Sequence, residues 1–154
     1  MDDIKYIEGG EDLMTELDFR LFLHSVSNDF TPPLLQRINI STYYNKLNQN
    51  AKFILCLHDN KIVGMIAFYC NDSHRDYAYV TLLAILPKYR RLGLCSQLLH
   101  KACDFSKKNN KIMMLIETNS EYAKQCYIHL GFQVKNKHIC ASSNLIRYYL
   151  EKKL

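Results

Sequence analysis

The sequence predicts a mixed α+β fold, in which a central and mostly antiparallel sheet of six to seven strands is flanked by about four helices. Three observations support this prediction. Apolar residues recur at helical spacing in the first part of the chain, β-rich runs follow, and a strand–helix–strand order comes next. Because the chain has the length of one domain, residues 1–154 are expected to form a single domain.

The first part of the chain predicts a short strand followed by two helical regions. An amphipathic helix is expected over residues 11–26, and the prolines that follow end it. A second region over residues 33–48 has Thr31 or Pro33 as its start and Ser41 as an N-cap for a second piece. The stripe assigned to the first helix contains Leu13, Leu17, Leu21, Phe22 and Val26.

The middle of the chain predicts the first long strands of the sheet. Residues 52–58 and 61–71 are β-rich runs joined by Asp59 and Asn60, a connection that suits a tight hairpin. Residues 77–86 are apolar at nearly every position. We therefore expect this strand to be covered on both faces and to lie near the centre of the sheet.

The last part of the chain predicts a parallel crossover. Residues 92–109 carry a helical stripe, and residues 112–116 form the next apolar run, so a strand–helix–strand unit is expected. A further helix ends at Gly131, which suits a left-handed C-terminal cap. Strands near residues 132–135 and 145–152 complete the predicted sheet.

The composition argues against several classes of protein. Six cysteines stand singly without a CxxC pair, which is typical of reduced thiols, and six histidines form no HxxxH or HExxH pair, so no metal is expected. Neither a leader nor an apolar run of membrane-spanning length is apparent, so a cytoplasmic protein without a membrane partner is expected. The net charge of +5 is spread along the chain, so no nucleic-acid partner is expected.

One loop in the predicted crossover has the features of an anion site. A buried strand ends at Leu86, and a helix opens shortly afterwards, beyond Arg90, Arg91 and Gly93. The N–H groups of a first helical turn lack intrahelical partners and carry partial positive charge, and a glycine permits close approach of the main chain. The residues alone indicate a phosphate or pyrophosphate site, or else a simple turn with two solvated arginines.

Two motifs resemble the GNAT superfamily of acyl-coenzyme A-dependent N-acyltransferases. The family signature is Arg or Gln, two residues, Gly, one residue, then Gly or Ala, and its counterpart here is Arg90-Arg91-Leu92-Gly93-Leu94-Cys95. The later family pattern A-x-x-x-Y-x-x-x-G-F is matched by Ala123, Tyr127, Gly131 and Phe132. The resemblance covers about residues 51–135, which are expected to form the acyl-coenzyme A-binding core of a GNAT-like fold.

The resemblance implies that acetyl-coenzyme A is a co-substrate held in a splay between the strand 77–86 and the parallel strand 111–118. It also implies that an amine attacks the thioester directly and that Tyr127 is the general acid for the leaving thiolate. Ser120 stands where the family usually has Asn, and Asn119 comes one position earlier. The implied cofactor-binding residues are Leu83, Ile85, Arg90, Arg91, Leu92, Gly93, Leu94, Cys95, Ser96, Asn119 and Ala123.

Two positions depart from the family pattern. Tyr79 stands where many members carry a Glu on the central strand, so the general base stays open among Asp72, His74, Asp76 and Glu117. Cys95 replaces Gly or Ala beside the expected pyrophosphate. Its side chain is either a packed thiol or a reactive one at a helix N-terminus.

The acceptor is expected to bind at the variable rims of the fold, which are residues 27–33, 71–76 and 138–144. Candidates to hold a cationic amine there are Asn28, Asp29 and Asp72, and the first two are equally suited to form turns or caps.

The function expected is an N-acyltransferase that moves an acetyl or other acyl group from its coenzyme A thioester to a primary amine of a small molecule or protein. A catalytically weak acyl-coenzyme A-binding or sensing module is an alternative, suggested by Tyr79 and Cys95. A nucleic-acid or partner-binding domain is a second, suggested by the net charge alone. A monomer or a homodimer is expected, in which an exposed final strand at residues 145–150 could pair across a two-fold axis.

Overall fold

A mixed sheet runs through the whole protein. The computed structural model describes residues 3–30, 32–141 and 144–154. Within these residues the strands are β1 (Lys5–Gly9), β2 (Lys52–His58), β3 (Lys61–Tyr69), β4 (Tyr77–Ile85), β5 (Met113–Thr118), β6 (Gln133–Ile139) and β7 (Ile146–Lys153). They form one seven-stranded sheet in the order β1-β2-β3-β4-β5-β7-β6. All neighbouring strands are antiparallel except β4 and β5, which are parallel.

Helices cover both faces of this sheet. They are α1 (Glu16–Val26), α2 (Leu34–Arg37), α3 (Ile40–Asn50), α4 (Leu94–Lys108) and α5 (Glu121–His129). One hydrophobic core joins α1, α2 and α3 to the sheet, and a second joins α4 and α5 to the opposite side. We refer to these two sides as the α3 face and the α4 face. The predicted fold class, with its parallel crossover and central strand, is confirmed.

The first helix differs from the prediction in its start and in its buried side. Thr15 caps α1 by accepting a hydrogen bond from the Asp18 N–H at 3.1 Å, so the helix does not begin at residue 11. Leu17 and Leu21 of the predicted stripe are 63% and 59% exposed. A repeat of four residues drifts around a helix, whereas the pattern i, i+3, i+4, i+7 stays on one side. That pattern is realised by Phe19, Phe22, Leu23 and Val26, which are buried.

The second helical region forms two separate helices, which agrees with the prediction that a second piece could start within residues 33–48. Pro33 precedes α2, whereas Thr31 lies outside the described residues. Asn39 caps α3 by accepting from the Thr42 N–H at 3.0 Å, so the prediction of Ser41 as this N-cap was wrong. The Ser41 hydroxyl instead lies 3.3 Å from the carboxylate of Glu16 on α1.

Two turns have the conformations that the sequence predicts, but the final strand is not a free edge of the sheet. Asp59 and Asn60 have φ angles of 51° and 63°, as a tight hairpin with a primed turn requires, and Gly131 caps α5 with a φ of 98°. The prediction that the final strand is exposed was wrong, because β7 is paired with β5 on one side and with β6 on the other. The described sheet therefore has β1 and β6 as its edges.

Among residues 3–30, 32–141 and 144–154, no helix is long and apolar enough to cross a membrane. Nor does that part of the chain bring three His, Cys, Asp or Glu side chains together as ligands for a metal ion.

Candidate active site

Strands β4 and β5 diverge soon after they begin. The three register pairs described between them are Tyr77 with Met113, Ala78 with Met114, and Tyr79 with Leu115. Beyond these pairs, β4 continues to Ile85 against β3, and β5 continues to Thr118 against β7. The carboxyl ends of the two strands therefore enclose a gap with main-chain edges on both sides. This gap has the form of the splay that the family resemblance implies.

Main-chain groups of Leu83 and Ile85 face this gap. The Leu86 N–H donates to the Val63 carbonyl at 2.8 Å, so Leu86 and every second residue before it direct their main-chain groups toward β3. Leu83 and Ile85 alternate with those residues, so their main-chain N–H and C=O groups point away from β3 and toward the gap. The guanidinium Nε of Arg90 confirms the direction, because it donates to the Ile85 carbonyl at 3.1 Å.

A β-bulge at Thr81 exchanges the faces that the side chains of β4 occupy. Leu82 pairs with Ala67 and Val80 with Phe68, so Thr81 is the extra residue. Val80 before the bulge belongs to the core on the α4 face, whereas Leu82 after it belongs to the core on the α3 face. As a result Tyr79 and Thr81 point to the α3 face.

The mouth of the gap is formed by the N-terminus of α4. Gly93 precedes this helix with a φ of 81°, and the Gln97 N–H donates to the Gly93 carbonyl at 3.0 Å as the first helical hydrogen bond. A Cβ at position 93 would meet no described atom within 4 Å, so the backbone angle, not lack of space, requires glycine. The N–H groups that precede the helical ladder are those of Leu94, Cys95 and Ser96.

The N-terminus of α4 differs from those of the other long helices. No described side chain makes a capping hydrogen bond at its start. Side chains cap the other long helices at their first turns, and these are Thr15 for α1, Asn39 for α3 and Ser120 for α5. Because an anion is stabilised by such N–H groups and by the helix dipole, this end of α4 suits a phosphate group.

The loop before α4 is held by its own side chains. Arg90 forms an ion pair with Asp29 in the turn after α1, in addition to its bond to the Ile85 carbonyl. Asp29 is thus engaged by a cation of this chain. Arg91 has a φ of 62°, and Arg91 and Leu92 are both exposed at the mouth of the gap.

Tyr127 lies on α5 inside the core of the α4 face. It is 7% exposed, and its ring centroid lies 6.0 Å from that of Phe132. Burial, together with the nearby thiols of Cys95 and Cys126, raises the pKa of Tyr127, so its hydroxyl stays protonated at neutral pH. Burial also raises the pKa of Cys95 to about 11, which favours the packed thiol over the reactive one.

The turn before α5 gives Ser120 a clear role. Its side chain accepts a hydrogen bond from the Ala123 N–H at 3.1 Å and so caps the helix. The Ala123 N–H is therefore already engaged within the chain. Asn119 is partly buried just ahead of this cap, beyond the end of β5.

Several polar side chains lie together on the α3 face, and the sequence does not predict this arrangement. The carboxylate of Glu117 lies close to the phenol of Tyr79, and burial and this carboxylate raise the pKa of Tyr79, so its hydroxyl stays protonated at neutral pH. Arg147 of β7 lies 3.6 Å from Glu117, and the Tyr43 hydroxyl donates to the Thr81 carbonyl at 3.3 Å. We call Tyr43, Tyr79, Glu117 and Arg147 the Glu117 cluster.

The sequence offered little sign of this cluster. Glu117 was one of several candidate bases, whereas Tyr43 and Arg147 stand in no motif. Four separate elements bring these side chains together, and the alternation of β5 places Glu117 opposite the buried Ile116, on the α3 face.

An open cleft of about 550 Å³ extends from Tyr79 along the α3 face. At its rim Asp72 pairs with Arg75 at 3.1 Å and accepts from the His74 N–H at 2.9 Å, so this carboxylate is also engaged within the chain. Of the predicted 138–144 rim, residues 142 and 143 lie outside the described part of the chain, whereas His138 pairs in register with Arg147. The cleft is lined by Lys46, Asn50, Tyr69, Asn71, Asp72, Arg75, Tyr77, Tyr79 and Leu115.

Comparison with known proteins agrees with this fold. N-alpha-acetyltransferase 30 of Schizosaccharomyces pombe is 29% identical over 102 residues, which cover 62% of this chain and 62% of that protein. The chain therefore matches less than two-thirds of the length of that relative.

Two solved structures extend the comparison. A Bacillus anthracis protein assigned as a streptothricin acetyltransferase, in complex with acetyl coenzyme A, is 26% identical with a TM-score of 0.63, covering 72% of this chain and 68% of that one. The ribosomal-protein-S18-alanine N-acetyltransferase of Escherichia coli shares the fold with a TM-score of 0.76 at 14% identity, covering 97% of this chain and 94% of that one. The family model described as Acetyltransferase (GNAT) family matches residues 18–132, and the chain therefore belongs to this family.

Proposed function

We propose that this protein is an N-acetyltransferase that moves an acetyl group from acetyl-coenzyme A to a primary amine by direct attack, and that residues 1–154 act as one domain. One observation carries the proposal. The uncapped N-terminus of α4 stands at the mouth of a gap whose edge presents main-chain groups of Leu83 and Ile85. The Bacillus anthracis relative, which was solved with acetyl coenzyme A, supports the choice of co-substrate.

The residues around the gap fit the parts of acetyl-coenzyme A. The N–H groups of Leu94, Cys95 and Ser96 would hold its diphosphate, and Arg90, Arg91, Leu92 and Gly93 shape the loop that presents them. The main-chain groups of Leu83 and Ile85 would pair with the pantetheine amides as an added strand does. Asn119 and Ala123 would border the opposite side of the gap.

Tyr127 and Glu117 lie on opposite faces of the sheet. Tyr127 belongs to the core of the α4 face, whereas Glu117 belongs to the cluster on the α3 face. We infer that the acceptor enters from the α3 face and that Glu117 takes the proton of its ammonium group. A C–N bond then forms, the nitrogen gives its second proton to solvent as the C–S bond breaks, and the Tyr127 phenol gives its proton to the departing sulfur. Solvent then restores the phenol proton and takes the proton held by Glu117.

The other candidate bases are less suited to this role. Asp72 is paired with Arg75, and His74 and Asp76 are exposed in the turn before β4. Glu117 also lies within reach of Tyr79, which occupies the place of the usual strand Glu. The pair Tyr79–Glu117 therefore replaces that residue in our proposal.

The test combines calorimetry with thiol release. Acetyl-coenzyme A binding is measured first, and release of the free thiol is then followed with a panel of amines. Glu117→Gln should lower kcat by about 10²-fold with little change in the KM for acetyl-coenzyme A. Glu8→Gln on β1, which is 57% exposed at its side chain, is the matched control and should retain full turnover.

The competing proposal, a binding or sensing module without turnover, is favoured by Tyr79 in place of the strand Glu and by Cys95 in place of the usual Gly or Ala. Tight binding of acetyl-coenzyme A without thiol release for any amine would establish it and overturn ours. We further propose a cytoplasmic protein, since singly placed thiols suit a reducing compartment. We also propose a monomer or homodimer that needs no metal, which sedimentation and metal analysis would check.

A further inference from the structure

The loop before α4 is also attached to the far end of β2. A short 3-10 helix, Pro87–Tyr89, follows β4, and the hydroxyl of Tyr89 lies 2.7 Å from Nδ1 of His58, the last residue of β2. The two rings meet edge to face with their centroids 5.4 Å apart. A hydrogen bond of normal length and a ring contact therefore join two side chains that are 31 residues apart in the sequence.

His58 is a firm support for this contact. It pairs in register with Lys61 at the hairpin, and β2 has β1 on its other side. Its side chain is 22% exposed, and its Nε2 lies 3.8 Å from a carboxylate oxygen of Asp59. Because water has limited access to the imidazole, a Tyr89 hydroxyl that lost this partner would not find an equivalent one easily.

Tyr89 and the next residue, Arg90, hold the loop from opposite faces of the sheet. Tyr89 packs against the core of the α4 face, and the alternation of β2 places His58 on that face too. Arg90 is paired with Asp29, which follows α1 on the α3 face. The chain is thus fixed from both faces immediately before the exposed residues 91–93.

The place of this contact in the chain gives it a bearing on the co-substrate. Tyr89 stands four residues before Gly93, whose φ of 81° sets the direction of the first N–H groups of α4. In our proposal these N–H groups hold the diphosphate. A loop that is ordered before the ligand arrives loses less conformational entropy on binding, and the affinity is higher as a result.

We propose that Tyr89 and His58 are positioning residues for acetyl-coenzyme A, because their contact orders the loop that presents the N-terminus of α4. Both act through the main chain of residues 90–96 and not by contact with the co-substrate. The inference rests on the proposed function and adds to it a residue of β2, His58, that stands in no motif.

The first part of the test measures acetyl-coenzyme A binding by calorimetry on the full chain. Tyr89→Phe keeps the ring and removes the hydroxyl, so the Kd should rise about fivefold, while kcat at saturating acetyl-coenzyme A stays unchanged. His58→Leu should have the same effect. The double variant should bind no more weakly than either single variant, because all three lose the same contact.

Rescue and a matched control separate positioning from general stability. His58→Asn, whose amide can stand where Nδ1 does, should retain most of the affinity. Tyr44→Phe is the control, because the hydroxyl of Tyr44 donates to the Met14 carbonyl at the same 2.7 Å, on the α3 face. In chemical denaturation it should lose about as much stability as Tyr89→Phe, with an unchanged Kd.

Unchanged affinity in Tyr89→Phe and His58→Leu would overturn the inference, as would an equal loss of affinity in Tyr44→Phe. If Tyr89→Phe does not fold, the comparison of His58→Leu with His58→Asn decides the matter. Failure of the proposed function is recognised separately, since the natural protein would then bind acetyl-coenzyme A without releasing thiol, and the Kd values of the variants would still decide the inference. Absence of binding by the natural protein would overturn both.

Discussion

Arg90 and Asp29 form an ion pair although 61 residues separate them in the sequence. The pair connects the loop before α4 to the turn that follows α1. Arg90 also donates to the carbonyl of Ile85, so one side chain fixes three parts of the chain around the mouth of the gap. The loop expected to hold the co-substrate is thus braced before any ligand arrives.

This ion pair is expected to position the loop more than it stabilises the fold. Its side chains are 42% and 37% exposed, so a double-mutant cycle with Asp29→Asn and Arg90→Gln should give a coupling energy below about 1 kcal/mol in chemical denaturation. Arg90→Gln should raise the KM for acetyl-coenzyme A more than Asp29→Asn does, because it also removes the bond to Ile85. A coupling energy of several kcal/mol would contradict this view.

Gly93→Ala tests the mouth of the gap. A Cβ meets open space there, but the left-handed backbone angle makes it unfavourable by about 1 kcal/mol, and the methyl group would stand where we place the diphosphate. We expect a small loss of stability and at least a tenfold rise in the KM for acetyl-coenzyme A. Gly10→Ala is the control, since its Cβ would find the Ala51 carbonyl at a comfortable 3.8 Å. An unchanged KM in Gly93→Ala would remove this loop from the binding site.

Tyr127→Phe tests the proton donor. The substitution keeps the ring on Phe132 and removes only the hydroxyl, so we expect kcat to fall by about 10²-fold with folding and acetyl-coenzyme A binding preserved. Because burial raises the pKa of Tyr127, the required protonated form persists as pH rises, and kcat of the natural protein should show no decline from this group below about pH 10. Tyr122→Phe, at a side chain 73% exposed, should leave kcat unchanged. Full turnover in Tyr127→Phe would exclude it as the acid.

Cys95 should resist alkylation at neutral pH. Its pKa of about 11 leaves roughly one thiolate in a thousand at pH 8, and the rate should rise about tenfold per pH unit until the pKa is reached. Peptide mass spectrometry after a timed reaction measures this rate, with the exposed Cys140 as an internal comparison. Acetyl-coenzyme A should slow the modification further. Rapid labelling at pH 7 would instead identify a reactive thiol.

Periodicity in the sequence was sufficient to predict the sheet and its crossover. Strand β4 is covered on both faces and is therefore apolar at nearly every position, whereas α4 packs on the sheet with one side and is therefore amphipathic. It failed where two patterns competed. Leu17 and Leu21 satisfy a simple repeat of four, and only the packing against α3 reveals that Phe19 and Leu23 are buried instead. Local capping was equally ambiguous, since Asn39 and Ser41 both suit the start of α3.

The candidate site also has one part that the sequence predicts and one part that it does not. The loop around Gly93 and the position of Tyr127 follow from short motifs, because each motif lies within a single turn or helix. The Glu117 cluster could not be predicted, since it depends on the register of β5 with β7 and on the bulge at Thr81. Such long-range relationships leave no local periodicity.

In our proposal, acetyl-coenzyme A binds at the uncapped start of α4, which would couple the stability of the fold to the supply of this ligand. A ligand that binds only the folded chain adds about 2.7 kcal/mol to the free energy of unfolding when its concentration is a hundred times its dissociation constant. An abundant acyl donor would therefore protect the chain from unfolding and proteolysis, and starvation for that donor would shorten its lifetime.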